Sequence, residues 1–232
     1  MEGKKRNIII GTIISVLAVL FIVFGTLACL GVFREFNAQR YVSAVLDQTF
    51  KGDVEDAVEM IEGATEEASY AQYEAGIESF VKNTFLNSSE IDSELEAQYI
   101  DLCKKIFAKM EYSVQEAEKV KDGEFDVPVT YRPSNVLQLF VTSATSEVAR
   151  IEEKKEKGEY RGTYEEIEAQ MKEECFINWC TMLEEAYNNM EFGEEQTVVL
   201  KVVKDEDGLY KLEESAITKI LGKILSLDAK ED

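Results

Sequence analysis

The chain has 232 residues, 25 of them basic and 46 acidic, and contains no histidine. Without histidine there is no Ser-His-Asp or Cys-His hydrolase, no His-ligated zinc, and none of the commonest general base near neutral pH. A formal net charge of −21 argues against a nucleic-acid partner and repels anionic lipid headgroups and anionic wall polymers.

The first feature in chain order is a short basic tail, residues 1–7, with Lys4-Lys5-Arg6 directly ahead of an uncharged apolar run from Ile8 to Phe33. At ~1.5 Å per residue that run, as a helix, is long enough to cross a ~30 Å hydrocarbon core. Three cations before it, against Arg34 offset by Glu35 after it, put the N-terminus in the cytoplasm and the bulk of the chain outside. The expectation is a single-pass cell-membrane protein whose anchor, residues 8–33, is also its contact with the membrane. A second reading stays open. Thr26-Leu27-Ala28-Cys29 sets a small residue before a cysteine, as in a lipoprotein signal, which makes Cys29 a candidate for lipidation. Leu30-Gly31-Val32-Phe33 continues the apolar run instead of turning polar, and the run exceeds the ~7–15 apolar residues of a signal peptide. With Lys4, Lys5, Arg6 and Glu2 set aside, 22 basic and 45 acidic residues remain, a net charge of −23 for the outer part.

Residues 34–110 read as helical. Phe36, Tyr41, Val42, Val45, Leu46 and Phe50 keep a helical spacing up to Gly52, and no proline interrupts residues 8–52. A continuous helix from the anchor to Phe50 is expected. A short helix follows from Val54 to Glu62, capped by Asp53 and ended by Gly63. Another runs from about Glu66 to Leu86 on Tyr73, Ile77, Phe80 and Val81. Ser89 with Asp92 then opens a helix whose face carries Leu95, Tyr99, Leu102, Cys103, Ile106 and Met110.

Residues 111–227 read as a mixture of hairpins and helices, in one domain with 34–110. Phe125, Val127, Val129 and Tyr131 alternate with polar residues, a half-buried strand paired with one starting at Tyr112 across an Asp122-Gly123 turn. Pro128 lacks an N–H, so a free edge is expected at that point. Leu137, Phe140, Val141, Ala144, Val148 and Ile151 mark a helix that fades into the charged stretch 152–157 and stops at Gly158. Thr163 with Glu166 is a capping box opening a long helix to about Met190. Its middle, Cys175 to Leu183, is apolar nearly all round, so it is expected at the centre of the fold, with Trp179 buried. Thr197–Lys204 and Leu209–Glu213 form a second hairpin across Asp205-Glu206-Asp207-Gly208, and Ser215 caps a last helix with Ile217, Ile220, Leu221 and Ile224. Residues 228–232 are an acidic tail. The fold class expected is α+β: an N-terminal transmembrane helix, then a helix-rich domain with a four-stranded antiparallel sheet from two hairpins.

Met110-Glu111-Tyr112 and Met190-Glu191-Phe192 each precede a hairpin with a Lys-Asp…Gly turn, a pattern that fits either a duplicated helix-plus-hairpin unit or chance. The closing Gly208-Leu209-Tyr210-Lys211-Leu212 resembles that of cystatin/NTF2-like outer-surface domains found in membrane-anchored proteins and lipoproteins of Gram-positive bacteria. The resemblance covers roughly Tyr112 to Leu225. It implies a curved sheet packed on helices and a binding role, with no catalytic residues to transfer.

No catalytic, cofactor-binding or metal-ligating residue stands out, and no cofactor is expected. Asp205, Asp207 and Glu214 imitate the later part of a calcium loop, but the first ligand position would be Val203 and the flanks are strands. Glu165-Glu166 and Glu173-Glu174 are carboxylate pairs that an acidic composition produces anyway; glycoside hydrolysis needs two carboxylates at a set separation across a cleft. Cys103, Cys175 and Cys180 are an odd set. Cys175 and Cys180 point roughly 140° apart on one helix, leaving either a link from one of them to Cys103 or three buried thiols. Tyr70, Tyr73, Tyr99, Tyr131, Tyr160, Tyr164, Trp179 and Tyr187 are candidates to line a concave face for a glycan or peptide. The functional expectation is a non-enzymatic binding or accessory module for an envelope protein, glycan or peptide. The alternative is an envelope enzyme acting on wall polymers through a carboxylate pair.

Overall fold

The computed structural model describes residues 29–30, 36–61, 63–213 and 215–227. Most of the 8–33 run, together with 1–7 and 228–232, lies outside the described residues. Among the described residues no helix is long and apolar enough to cross a membrane.

Strand β1, Cys29–Leu30, lies antiparallel to β6, Leu209–Leu212, with Cys29 opposite Tyr210 and Leu30 opposite Leu209. A helix over the whole of 8–33 therefore fails at these two residues, whose backbone satisfies hydrogen-bonding groups on an otherwise open sheet edge. The continuous helix expected from Arg34 to Phe50 is also corrected. Helix α1, Ala38–Lys51, starts afresh at Asn37, which is extended (φ −100°, ψ 96°) and whose side chain accepts from the Arg40 N–H at 2.8 Å. It ends at Gly52 in the left-handed region (φ 67°), where an added Cβ would sit 2.7 Å from the Tyr73 ring. Only glycine fits there.

Nine of the 14 residues of α1 are buried, including Tyr41, Val42, Val45, Leu46 and Phe50. Helices α2 (Glu55–Met60), α3 (Glu66–Thr84) and α4 (Ser93–Ala108) follow. The α4 cap is Asp92, not Ser89: its Oδ1 accepts from Glu94 N and Leu95 N. A carboxylate takes the terminal N–H groups better than a hydroxyl three residues earlier.

The sheet is antiparallel throughout. Strands β2 (Tyr112–Val114) and β3 (Glu118–Lys121) both pair with β4 (Glu124–Tyr131), which pairs with β5 (Gln196–Lys204), which pairs with β6. The two expected hairpins are present, but the first strand is broken in two and β1 adds a further edge, so among the described residues six strand segments replace the four expected. Pro128 explains the break. Its strand is central, not an edge, with Pro128 opposite Val199 of β5. The Pro128 carbonyl accepts from Gln115 N at 2.8 Å. In a strand the nitrogen and carbonyl of one residue face the same side, so the missing N–H meets the gap between β2 and β3.

One sheet face is exposed and mixed, with Asp126, Thr130 and Lys201 beside Val199 and Val203. The other carries Val127, Val129 and Tyr131 against Val198, Leu200 and Val202, all buried, and α1 packs on it. Tyr112 donates to Asp47 Oδ1 at 2.8 Å and Gln39 Nε2 donates to the Val114 carbonyl, locking α1 to β2. A single buried cluster draws residues from both 34–110 and 111–227. Helix α7, Ala216–Ile224, closes it with Ile220, Leu221 and Ile224.

Helices α5 (Val136–Glu156) and α6 (Tyr164–Asn188) pack on each other, and α6 also touches α4. The Thr163–Glu166 capping box forms as expected. The central position does not: α6 buries only Phe176, Cys180, Leu183 and Ala186, Trp179 is half-buried, and Ile177 is 48% exposed. The apolar circumference of α6 exceeds what α4 and α5 cover.

Candidate functional site

A concavity lies between α4 and α6. The chain enters it from α3 through a tight turn whose Asn87 (φ 47°) and Ser88 (φ 56°) are both left-handed, a conformation a serine adopts at a cost. The two helices are bolted together, the buried Tyr99 hydroxyl donating to the Phe176 carbonyl at 2.7 Å. The concavity is a groove of about 750 Å³ with Ile91, Leu95, Phe176 and Ile177 as its apolar surface. Among the described residues Glu90, Asp92, Glu94 and Glu173 face it, against one cation, Lys172. Asp92 is engaged as the α4 cap. A smaller apolar slot of about 440 Å³, reaching Phe85, Met171 and Trp179, adjoins the groove through Lys172 and Phe176.

Behind the slot a charge cluster clamps α5 to α6. Arg150 donates to Glu147 Oε2 at 2.7 Å and Oε1 at 2.6 Å and reaches Glu174 at 2.5 Å. Lys154 and Tyr160 also donate to Glu174, and Asn178 donates to the buried Glu147. Hydrogen bonds from Lys154, then from Arg150, hold the Glu174 carboxyl down at about 2. The bonds from Arg150 lower Glu147 as well, against its burial. Both carboxylates stay ionised and saturated with donors, an arrangement suited to a structural clamp rather than to proton transfer.

The other sequence candidates fall apart in space. Glu166 is consumed by the capping box, Thr163 N donating to its Oε2 at 2.7 Å, while Glu165 beside it is exposed. Glu173 faces the groove and Glu174 the clamp, so neither pair spans a cleft. The Asp205–Gly208 segment is a turn closed on itself: Asp205 Oδ1 accepts from Asp207 N and Leu209 N, and its other oxygen pairs with Lys211 at 2.5 Å. Glu214 lies outside the described residues, as does the side chain of Cys29. No cluster of three or more metal-ligating side chains occurs among the described residues.

Cys103, Cys175 and Cys180 are all free. Burial pushes the Cys103 thiol far up, Cys175 up to about 12 and Cys180 up to about 11, so none is a thiolate at neutral pH. The aromatic candidates do not share a face. Tyr99, Tyr73 and Tyr131 are core, Tyr131 donating to Gln196; Tyr160 serves the clamp; Tyr70 and Tyr164 are exposed on separate helices, Tyr164 at 66%. Tyr187 lies under Lys109, its ring centre 4.0 Å from the ammonium. The two Met-Glu-aromatic segments are not equivalent either: Tyr112 is a ladder residue opposite Tyr131, whereas Phe192 bridges to Ser134 ahead of β5.

Sequence reasoning missed the groove. The usable signal was the nearly continuous apolar girdle of α6 together with Ile91 and Leu95 near the start of α4.

No protein-family model matches the chain, and no curated protein is similar to it at a significant level. Among solved structures, it is similar to the crystal structure of a "putative lipoprotein (ycdA)" from Bacillus subtilis, at 17% identity with a TM-score of 0.49. The likeness covers 79% of this chain and 54% of that one, so this chain spans little more than half of the other's length.

Proposed function

We propose that this chain is a non-enzymatic binding or accessory module of the cell envelope, held at the outer face of the membrane by its N-terminal apolar run and presenting the α4–α6 groove to a ligand. The observation that carries the reading is the groove itself: an apolar surface edged by carboxylates, with no nucleophile–base pair beside it. The thiols of Cys103, Cys175 and Cys180 are protonated, and the most strongly perturbed carboxylate is locked in a clamp. The sheet with α1 across one face is of the kind expected of a cystatin/NTF2-like domain, which again implies binding.

The anchor accommodates the strand at Cys29–Leu30. Residues 8–28 alone would span ~31 Å as a helix, enough for a bilayer core. An uncleaved anchor keeps residues 1–33 in the mature protein; lipidation would instead leave a chain beginning at an acylated Cys29. Intact mass of the membrane-extracted protein separates the two, and protease added to intact cells tests the outward orientation.

The binding role is tested by crosslinking in intact cells, comparing the native protein with Ile177→Lys. A discrete crosslinked partner, recovered with the native chain and lost from the variant, is the expected result. Cleavage of purified wall polymer by the native protein, abolished by Glu173→Gln or Glu174→Gln, would replace the binding reading with an enzymatic one.

A further inference from the structure

We infer that the occupant of the α4–α6 groove is a basic amphipathic helix of a protein partner. The inference rests on the binding-module reading and adds the chemistry and conformation of what is bound. Three observations carry it.

The first is unspent apolar surface. Residues 175–183 are apolar almost all round, α4 and α5 cover one side, and Ile177 is left 48% exposed at the groove. An apolar residue on such a helix gains by burial only from something outside this chain's described fold.

The second is shape. On α6 the groove is lined at 169, 172, 173, 176 and 177, and on the α4 side at 91, 94, 95 and 98. The α6 set follows the i, i+3, i+4, i+7 spacing of a single helix stripe; Glu94, Leu95 and Gln98 lie within one turn at the start of α4, and Ile91 stands just ahead of its Asp92 cap. The α6 stripe facing the start of α4 forms a trough that accepts a third helix, ridges into grooves, over about two turns, or ~12 Å along α6. An extended peptide would need an open strand edge or side-chain pockets at a period of two.

The third is charge. Glu90, Glu94 and Glu173 face the groove without an ion pair among the described residues, and Lys172 is the lone cation there. A helix with Lys or Arg beside its apolar stripe is complementary; an anionic amphiphile or an acidic helix is repelled.

The test uses the full-length protein in nanodiscs of zwitterionic lipid and 14-residue leucine/lysine helical peptides carrying a diazirine on the apolar side. Photocrosslinks mapped by mass spectrometry are expected within 90–98 and 169–177. Ile177→Lys should reduce their yield at least tenfold, as should Glu90→Lys combined with Glu94→Lys and Glu173→Lys. Glu206→Lys with Asp207→Lys, the same kind of charge change on a distant turn, should leave the yield within twofold, and unchanged thermal melting confirms that each variant folds. Crosslinks elsewhere, equal capture of a same-charge peptide with scrambled order, or no effect of Ile177→Lys overturns the inference. Equal capture of the glutamate counterpart with the same apolar side overturns the basic character of the occupant while leaving the groove as a peptide site. No crosslink from any peptide overturns the helical occupant, and the binding reading then stands or falls on the crosslinking in intact cells.

Discussion

The sheet with α1 and the α4–α6 pair are built from comparably apolar sequence and end in opposite states. On the inner face of the sheet the apolar side chains meet one another, while Val199 and Val203 on the outer face stay exposed: α1 is wedged between the sheet and helices α3 and α4, and Phe36 stacks on Tyr210 with ring centres 3.8 Å apart while also touching Phe125 and Tyr41. Helix α6 is longer, at 25 residues, yet buries four of them, because its neighbours lie to one side. Apolar content becomes burial only where the topology supplies a neighbour on each apolar side. Where it does not, the surplus marks the surface at which a partner gains most by docking.

The sharpest way to break this comparison is to remove α1. A chain beginning at Asp53 loses nine buried residues at the floor of the sheet and is expected not to fold, showing no cooperative thermal transition by circular dichroism. A cooperative transition of undiminished midpoint would make α1 a stalk and dissolve the contrast. One step down, Leu46→Ala should destabilise by about 2–5 kcal/mol, the range for emptying a packed leucine site, whereas Ile177→Ala should cost about 0.5 kcal/mol or less. Urea titration of both variants measures the difference, and similar costs would mean that the outer side of α6 is already covered.

Trp179 sharpens the picture at the boundary between the two states. It packs edge-on against Phe140 and Phe176, is half-buried, and its Nε1 is buried without a hydrogen-bond partner. Trp179→Ala should cost about 2–3 kcal/mol, below the full large-aromatic range. Trp179→Phe should cost under about 1 kcal/mol, since it removes an unsatisfied donor along with part of the packing. A loss as large as that of the alanine variant would show that the indole N–H does find a partner in solution.

Acid should loosen the clamp of α5 on α6 before it disturbs the sheet. Glu174 is held at about 2, below its ordinary 4.5. A depressed carboxyl contributes its stability in full above the unfolded value and loses it as pH falls through the folded one. The loss therefore falls between pH ~4.5 and ~2 and, for a partly solvated pair, amounts to about 1 kcal/mol. Urea midpoints at pH 7 and pH 3 should show the drop for the native chain and a shallower one for Glu174→Gln; identical acid limbs would remove Glu174 from the linkage. The smallest effect belongs to the turn at the groove: Ser88→Gly relieves a left-handed serine and should stabilise by up to about 1 kcal/mol. No gain in melting temperature would mean that the turn relaxes at no cost.

Much of the architecture was legible because its signals are local. The 3.6-residue spacing in α1, α3 and α4, the Thr163–Glu166 box, and the alternation of Phe125 to Tyr131 around an Asp-Gly turn each depend on neighbours within a few residues. The mistakes came where a local signal was asked a non-local question. The free edge expected at Pro128 is present as the gap between β2 and β3, but the strand that carries it is central, which a missing N–H by itself does not tell. The helix from the anchor was carried through Asn37 because no proline stood in the way, while a side-chain cap was enough to start a new one.

By itself the sequence determined the α+β alternation, both hairpin turns, the capping box and the removal of histidine chemistry, because backbone propensity, side-chain period and composition do not depend on what packs where. Only the tertiary structure decided that α1 is core and α6 is not, that Glu174 is a clamp residue while its neighbour Glu173 faces a groove, and that the groove exists at all. Burial and concavity belong to the space between elements far apart in the chain, and two helices whose residues lie some eighty positions apart leave no record of the groove between them in either one alone.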